Sequence, residues 1–294
     1  MDRRDATFKS DGGRVAAWIY PPVGEHRGPG PCVVMAHGFS LTRHDGLAPF
    51  AERLAGAGAT VVVFDHRFLG DSPGEPRQRF RRSAQLADWR NAVAFARTLP
   101  DVDPARVALW GFSFSGGHAV ETAAADGRIA ALLLLCPFLD GLARVRSTPL
   151  PLVAWILPWA LADLAGRHNL ISVTGPPGTN AAMSLPGEAD GFAASVPDGS
   201  PWRNEISPAL FATVAFHRPW TKAGRLTMPV WVGEGELDIS VSSSAIGKLV
   251  AAAAGAELHH YPVDHFGPFQ AAMSNRIADD QVAFFTRRVL APAG

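Results

Sequence analysis

The 294-residue sequence predicts an α/β protein built on a mostly parallel sheet. Three observations carry that expectation. Apolar runs alternate along the chain with stretches of helical spacing. The apolar runs are continuous in Val, Leu and Ile, as in strands buried on both faces. The alternation breaks at about residue 140 and resumes at about 224, so one sheet domain is interrupted by an insertion longer than a plain loop requires.

The elements follow in order. "ATFKS", the turn "DGG" and "RVAAWIY" read as a hairpin over 6–20, and "PPVGEHRGPGP" as a Pro/Gly loop over 21–31. "CVVMAHG" is a strand, and "DGLAPFAERLAGAG" a helix with a glycine stop. "ATVVVFD" is the next strand, and "SAQLADWRNAVAFARTL" an amphipathic helix that Ser83 can N-cap. "RVALWG" leads into "GFSFSGG" (Gly111–Gly117) and a helix, then the strand "IAALLLLCP". The segment 140–223 is rich in Pro, Gly and Trp, and within it "PLVAWILPWALADL" reads as an amphipathic helix or a broken pair. After it come "PVWVGEGELD", a helix over 241–254, the strand "AELHHYP" and a last helix over 274–290. The expected organisation is a core of 1–139 and 224–294 with 140–223 inserted as a lid.

Composition narrows the function. With 47% hydrophobic and 18% charged residues the chain is globular. Its 27 Lys plus Arg balance 27 Asp plus Glu, so no net field draws it to nucleic acid or an anionic membrane. The local cluster Arg77–Arg82 reads as a solvated loop before a helix. The opening "MDRRDATFKSDGG" lacks the apolar stretch of a secretion signal, and "PLPLVAWILPWALADLAG" is too short and too broken by proline to span a bilayer. Cys32 and Cys136 agree with a reducing compartment and offer no metal spacing. A cytoplasmic protein acting on a small molecule is expected, with no nucleic-acid or membrane partner. No dinucleotide fingerprint, P-loop or zinc motif is found, so no cofactor and no metal is expected.

"GFSFSGG" holds two serines among small residues. A nucleophile lifted from a tight strand-to-helix turn needs small residues two positions to either side, and Ser113 and Ser115 both have them. Strand length separates them: the run ends at Trp110, which leaves Ser113 at the turn and Ser115 already in the helix. A serine needs a base, and the base an anionic partner, from loops at the carboxyl ends of later strands. His265 is the histidine on such a loop, whereas His259 and His260 sit within a strand and His118 on the helix after the turn. Asp238 is the first choice of acid, with Glu236 and Asp140 as the others. The backbone N–H groups of Phe114 and Phe39 are the expected oxyanion donors. His37 is read as bracing the loop that carries Phe39.

These residues resemble the α/β-hydrolase superfamily, in particular bacterial esterase and dienelactone-hydrolase-like members with an inserted lid. "AHGF" resembles its oxyanion loop, "WGFSFSGGH" its nucleophile turn, "GELD" and "DHF" its acid and histidine loops. "FDHRFLGDSPGEPRQ" resembles a further motif through Asp65, Arg67, Gly70, Ser72 and Gly74, but Phe68 stands where a glycine is usual, which puts that loop's path in question. The resemblance implies an eight-stranded sheet in the order 1-2-4-3-5-6-7-8, flanked by helices. In that order the strands of Cys32 and Cys136 lie two positions apart, too far for a disulfide.

The expected activity is hydrolysis of carboxylic esters or lactones of partly apolar molecules by Ser113, His265 and Asp238 through an acyl-enzyme. Trp155 and Trp159 in the lid are candidate substrate-binding residues. There are two alternatives, of which the first uses the same three residues. One is amide hydrolysis, for which Glu188, Asp190 and Asp198 are the candidates to hold a peptide's amino terminus. The other is acyl transfer, cyclisation or lyase chemistry in a biosynthetic pathway.

Overall fold

The computed structural model describes residues 2–24 and 28–290. The hairpin forms as β1 (Arg4–Ser10) and β2 (Gly13–Tyr20) around Asp11 and Gly12. The loop expected over 21–31 includes 25–27, which lie outside the described residues. β3 (Gly30–Ala36), α1 (Ala48–Gly56), β4 (Thr60–Phe64), α2 (Arg82–Ala96), β5 (Val102–Phe112), α3 (Ser113–Ala125) and β6 (Ile129–Leu135) follow. After residues 136–229, the chain completes β7 (Val230–Gly235), α7 (Ser243–Ala252), β8 (Ala256–Tyr261) and α8 (Ala271–Phe285).

The eight strands form one sheet in the order β1-β2-β4-β3-β5-β6-β7-β8, antiparallel at β1–β2 and β2–β4 and parallel elsewhere. Side chains alternate between two hydrophobic layers. Val34, Val62, Leu109 and Leu132 pack beneath α2, α3 and α7, with Trp89, Val120 and Ile246 opposite. Val33, Val63, Trp110 and Leu133 face α1 and α8, against Phe50, Phe284 and Phe285. Because both faces are covered, the strands need apolar residues at every position. That is the pattern of continuous runs read from the sequence.

The register places the reactive ends side by side. Ala36 pairs with Gly111, Phe112 with Leu135, and Leu135 with Gly233. The loops after β3, β5, β6 and β7 therefore leave the sheet at one level, with β5 at the centre. Cys32 on β3 and Cys136 just past the end of β6 have β5 between their strands, and both are free and buried.

The segment between β6 and β7 contains α4 (Gly141–Ser147), α5 (Leu150–Ala162) and α6 (Glu188–Ser195), then short 3₁₀ turns over Pro208–Ala212, Val214–Phe216 and Pro219–Arg225. Pro158 lies inside α5, which continues as one helix and gives way to a π turn at Asp163–Arg167. Two local expectations are corrected. Ser83 does not cap α2, whose N-cap is Arg81 without a side-chain bond. The arginines of 77–82 are not a solvated run: Arg77 donates to Gly70 O, Arg81 to Asp163 and Ser207, and Arg82 to Glu121 and His217. Arg81 and Arg82 tie the start of α2 to the β6–β7 segment, while Arg77 braces its own loop.

Candidate active site

β5 ends at Phe112 and α3 begins at once with Ser113, whose φ of 52° lies in the left-handed region. That backbone is costly for a residue with a Cβ, and the surroundings hold it in place. A Cβ on Gly111 would meet Ser115 O at 2.6 Å, and one on Gly117 would meet Phe138 O at 2.5 Å. The small residues around Ser113 are thus demanded by a turn too tight for larger ones.

The second serine has another task. Ser115 Oγ donates to the backbone oxygen of His37, fastening α3 to the loop after β3, and lies 3.4 Å from His66 Nε2. Ser113 Oγ lies instead 2.9 Å from His265 Nε2, and His265 Nδ1 lies 2.6 Å from Asp238 Oδ2. The three residues are brought together from the loops after β5, β8 and β7. The contacts assign the tautomer: Nδ1–H donates to the carboxylate, leaving Nε2 to accept from the serine hydroxyl.

Asp238 is anchored on its other oxygen, Oδ1, which accepts from the N–H groups of Ser240 and Val241 at 2.8 and 3.3 Å. Burial pushes its carboxyl upward, but the facing imidazole and these N–H groups outweigh it and hold it below the usual carboxylate value. Of the other acids considered, Glu236 is exposed. Asp140 caps α4 through Leu142 and Ala143 N–H and accepts from Trp220 Nε1, away from His265. His259 stacks on Trp231, His260 is exposed beside Glu234, and His118 bonds Phe114 O within its own helix.

The loop after β3 meets the serine closely. A Cβ on Gly38 would lie 2.8 Å from Ser113 Cβ, so only glycine lets the next residue, Phe39, stand beside the nucleophile's turn. His37 fixes this loop: Gly38 N–H donates to its Nδ1 at 2.8 Å and its Nε2–H donates to Asp45 O at 2.6 Å. Burial drives His37 down to about 3, so it holds this pattern as a neutral ring. On the opposite side, Phe114 N–H lies in the first turn of α3, where a helix supplies no acceptor. In the loop from Asp65 to Gln78, Phe68 itself takes up φ 72°.

Above Ser113 and His265 opens a cavity of about 250 Å³. Phe39, Phe114 and Phe138 line it from the sheet side, and Leu152, Val153, Ile156 and Leu157 of α5 from above. Trp155 and Trp159 are not among its lining residues. α5 presents its 152/156 and 153/157 rows to the cavity, while Trp159 is exposed and Trp155 packs among buried hydrophobics. Trp202 joins the segment to the core through Ser40 Oγ, and Trp220 ties the segment's two ends together through the Asp140 carboxylate. No Asp or Glu lines the cavity: Glu188 is buried behind it, and Asp190 and Asp198 are exposed. Sequence reasoning passed over Arg144 and Ser240, which do line it and which carry no motif.

Two groups have ligand atoms close enough for a metal, Cys136–Asp238–His265 and His44–Asp65–Asp71. In the first, burial and the Asp238 charge push the Cys136 thiol upward, so it stays protonated, and the other two atoms are bonded to each other. In the second, Arg43 already supplies the positive charge, 3.4 Å from Asp65 and 2.9 Å from Asp71. Among the described residues no helix is long and apolar enough to cross a membrane.

Comparison with known proteins places this geometry in a context. Residues 28–263 match the family described as serine aminopeptidase, S33. Over 290 residues, 97% of the chain and 95% of the relative, the sequence is 34% identical to the quorum-quenching protein AidA of Acinetobacter baumannii. It is 30% identical over 213 residues to the polyketide transferase grgF of Penicillium sp, covering 71% of this chain and 65% of that one. Among solved structures, that of DcsB in complex with its substrate analogue superposes with a TM-score of 0.82 at 24% identity, covering 99% of this chain and 100% of that one.

Proposed function

The chain belongs to the serine aminopeptidase S33 family of α/β hydrolases, and from that premise we propose that it hydrolyses carboxylic esters or lactones of partly apolar molecules with Ser113, His265 and Asp238 as its catalytic triad. The single observation that carries the reading is the unbroken chain of contacts, 2.9 Å from Ser113 Oγ to His265 Nε2 and 2.6 Å from His265 Nδ1 to Asp238 Oδ2, at the floor of an apolar cavity.

In this reading Ser113 Oγ attacks the acyl carbon as its proton passes to His265 Nε2. Asp238, kept ionised, stabilises the imidazolium through Nδ1–H. The carbonyl oxygen becomes an oxyanion between the N–H groups of Phe39 and Phe114, which are fixed before substrate arrives. His265 then returns the proton to the departing alcohol oxygen. Water, activated by the same imidazole, releases the acid from the acyl-enzyme. The residues 140–223 act as a lid whose α5 supplies the apolar wall for the acyl chain.

A second reading, transfer of the acyl group to an alcohol or thiol instead of water, draws support from the relative grgF, named a polyketide transferase. Aminopeptidase action draws less, since no carboxylate lines the cavity to hold an amino terminus. The test is a panel of p-nitrophenyl esters, lactones and matched amides. Ser113→Ala is expected to lower ester hydrolysis by about 10³-fold or more with an unchanged circular dichroism spectrum. Undiminished hydrolysis by the folded variant would remove the proposal.

A further inference from the structure

The cavity is apolar except at two places and at Thr148, whose hydroxyl is spent on Arg144 O. One is the Ser113–His265 floor. The other is formed by Arg144, in the last turn of α4, and Ser240, on the loop after Asp238. Both bind one carboxylate: Arg144 Nη2 donates to Glu188 Oε1 at 3.2 Å, and Ser240 Oγ donates to the same oxygen at 2.8 Å. Glu188 is buried and spends its other oxygen on Leu185 N–H at 2.8 Å. A guanidinium has five N–H donors, and among the described residues Nη1 has no hydrogen-bond partner; it is closed off at rest, so a small turn of the part-exposed side chain is what brings an idle N–H to the cavity. An unpaired cationic donor beside an apolar cavity is costly, and such a group in a folded protein calls for a partner that completes it.

We infer that Arg144 and Ser240 form a polar subsite that accepts a neutral oxygen, a ketone or hydroxyl, carried on the acyl chain away from the scissile carbonyl. The substrate class is therefore oxygenated acyl chains rather than plain hydrocarbon ones. Charge selects the neutral group. Glu188 already balances Arg144, so a ligand carboxylate would enter a low-dielectric wall with no net positive charge to meet it. A carbonyl oxygen needs only the idle N–H groups, and a hydroxyl can also exchange hydrogen bonds with Ser240. The inference rests on reading Ser113 as the nucleophile for the placement of the acyl group, but its central claim is about binding.

The experiment separates the two. Ser113→Ala protein is titrated calorimetrically with S-(N-acetyl)cysteamine thioesters of octanoate and of its 3-oxo, 5-oxo and 7-oxo derivatives, together with a chain ending in a carboxylate. One oxo isomer is expected to bind about tenfold or more tighter than octanoate, as fits a hydrogen bond to a charged donor. The carboxylate chain is expected to bind no tighter than octanoate. In a Ser113→Ala background the pair Arg144→Met with Glu188→Gln, chosen so that no buried charge is stranded, is expected to bring the oxo-to-plain ratio toward one. Equal binding of all the chains, a preference that survives the paired substitution in a protein of unchanged Tm, or preferential binding of the carboxylate would each overturn the subsite. Hydrolysis of the same panel by unaltered protein reads the nucleophile separately: failure to hydrolyse any member, with oxo-selective binding intact, defeats the triad reading and leaves the subsite standing.

Discussion

Ser113 and Ser115 show how two identical side chains two positions apart are given different work by backbone alone. The first stands in the left-handed turn with its hydroxyl on His265. The second, one turn-length later, is spent on His37 O and supports the loop of Phe39. Ser115→Ala is therefore expected to cost about 1 kcal/mol of stability while labelling of Ser113 by a fluorophosphonate persists. Loss of labelling with an unchanged Tm would reverse the two roles. Much at this scale was readable beforehand, because small residues around Ser113 and the order Ser, Asp, His follow from what a tight turn and successive loops permit. Phe68 was less readable. A phenylalanine where glycine is usual suggests a changed loop, yet it adopts φ 72° with its ring over Gly74, where a Cβ would meet it at 2.6 Å. The strain falls on the residue itself.

Among the elements, α5 decides the shape of the acyl wall. The sequence located the helix but not its inward face, since apolar residues occupy nearly every position from Leu150 to Ala162 and periodicity cannot choose among them. The tryptophans drew attention by size, whereas Leu152, Val153, Ile156 and Leu157 line the cavity. Val153→Phe is expected to move the preferred substrate toward shorter acyl chains, with kcat/KM on the longest good ester down about tenfold. Kinetics over a chain-length series check this, and an unshifted optimum would mean that the chain runs elsewhere. The inward arginines of 77–82 were unreadable for a related reason. The acceptors of Arg81 and Arg82, namely Asp163, Ser207, Glu121 and His217, lie far along the chain. A local run of charge says nothing about a partner that only the tertiary fold supplies.

Across the whole molecule, continuous apolar strands alternating with helices made the parallel-sheet class legible, whereas the eight-stranded order was implied only by the resemblance to α/β hydrolases. The buried histidines were not legible. Burial drives His37 and His217 to about 3 and His118 well below its ordinary value, so the native protein keeps all three neutral. Their unfolded values lie near 6.5. Below that pH the unfolded chain takes up protons that the native state refuses, so the stability they confer is complete above about 6.5 and lost as pH falls toward 3. Each contributes a slope of up to about 1.4 kcal/mol per pH unit. Asp45 and Asp65, raised by burial, act in the opposite sense at the acid end of this window. Unfolding in denaturant between pH 7 and 4.5 is expected to show a shallower decline for His217→Gln than for the unaltered chain. Parallel declines would show that His217 is not held neutral.

The attachments of the β6–β7 segment carry one more consequence. Trp202 is fixed to Ser40, Ser200 to Asp45 at 2.6 Å, Arg81 to Asp163 at 2.9 Å and Arg82 to His217 at 2.9 Å. A roof riveted along several edges does not swing like a hatch, because lifting it strands polar groups that water cannot quickly reach. On the proposed reading, traffic to Ser113 passes Leu157, which lines the chamber and is itself exposed, so a guest's girth is weighed at that threshold before any chemistry begins.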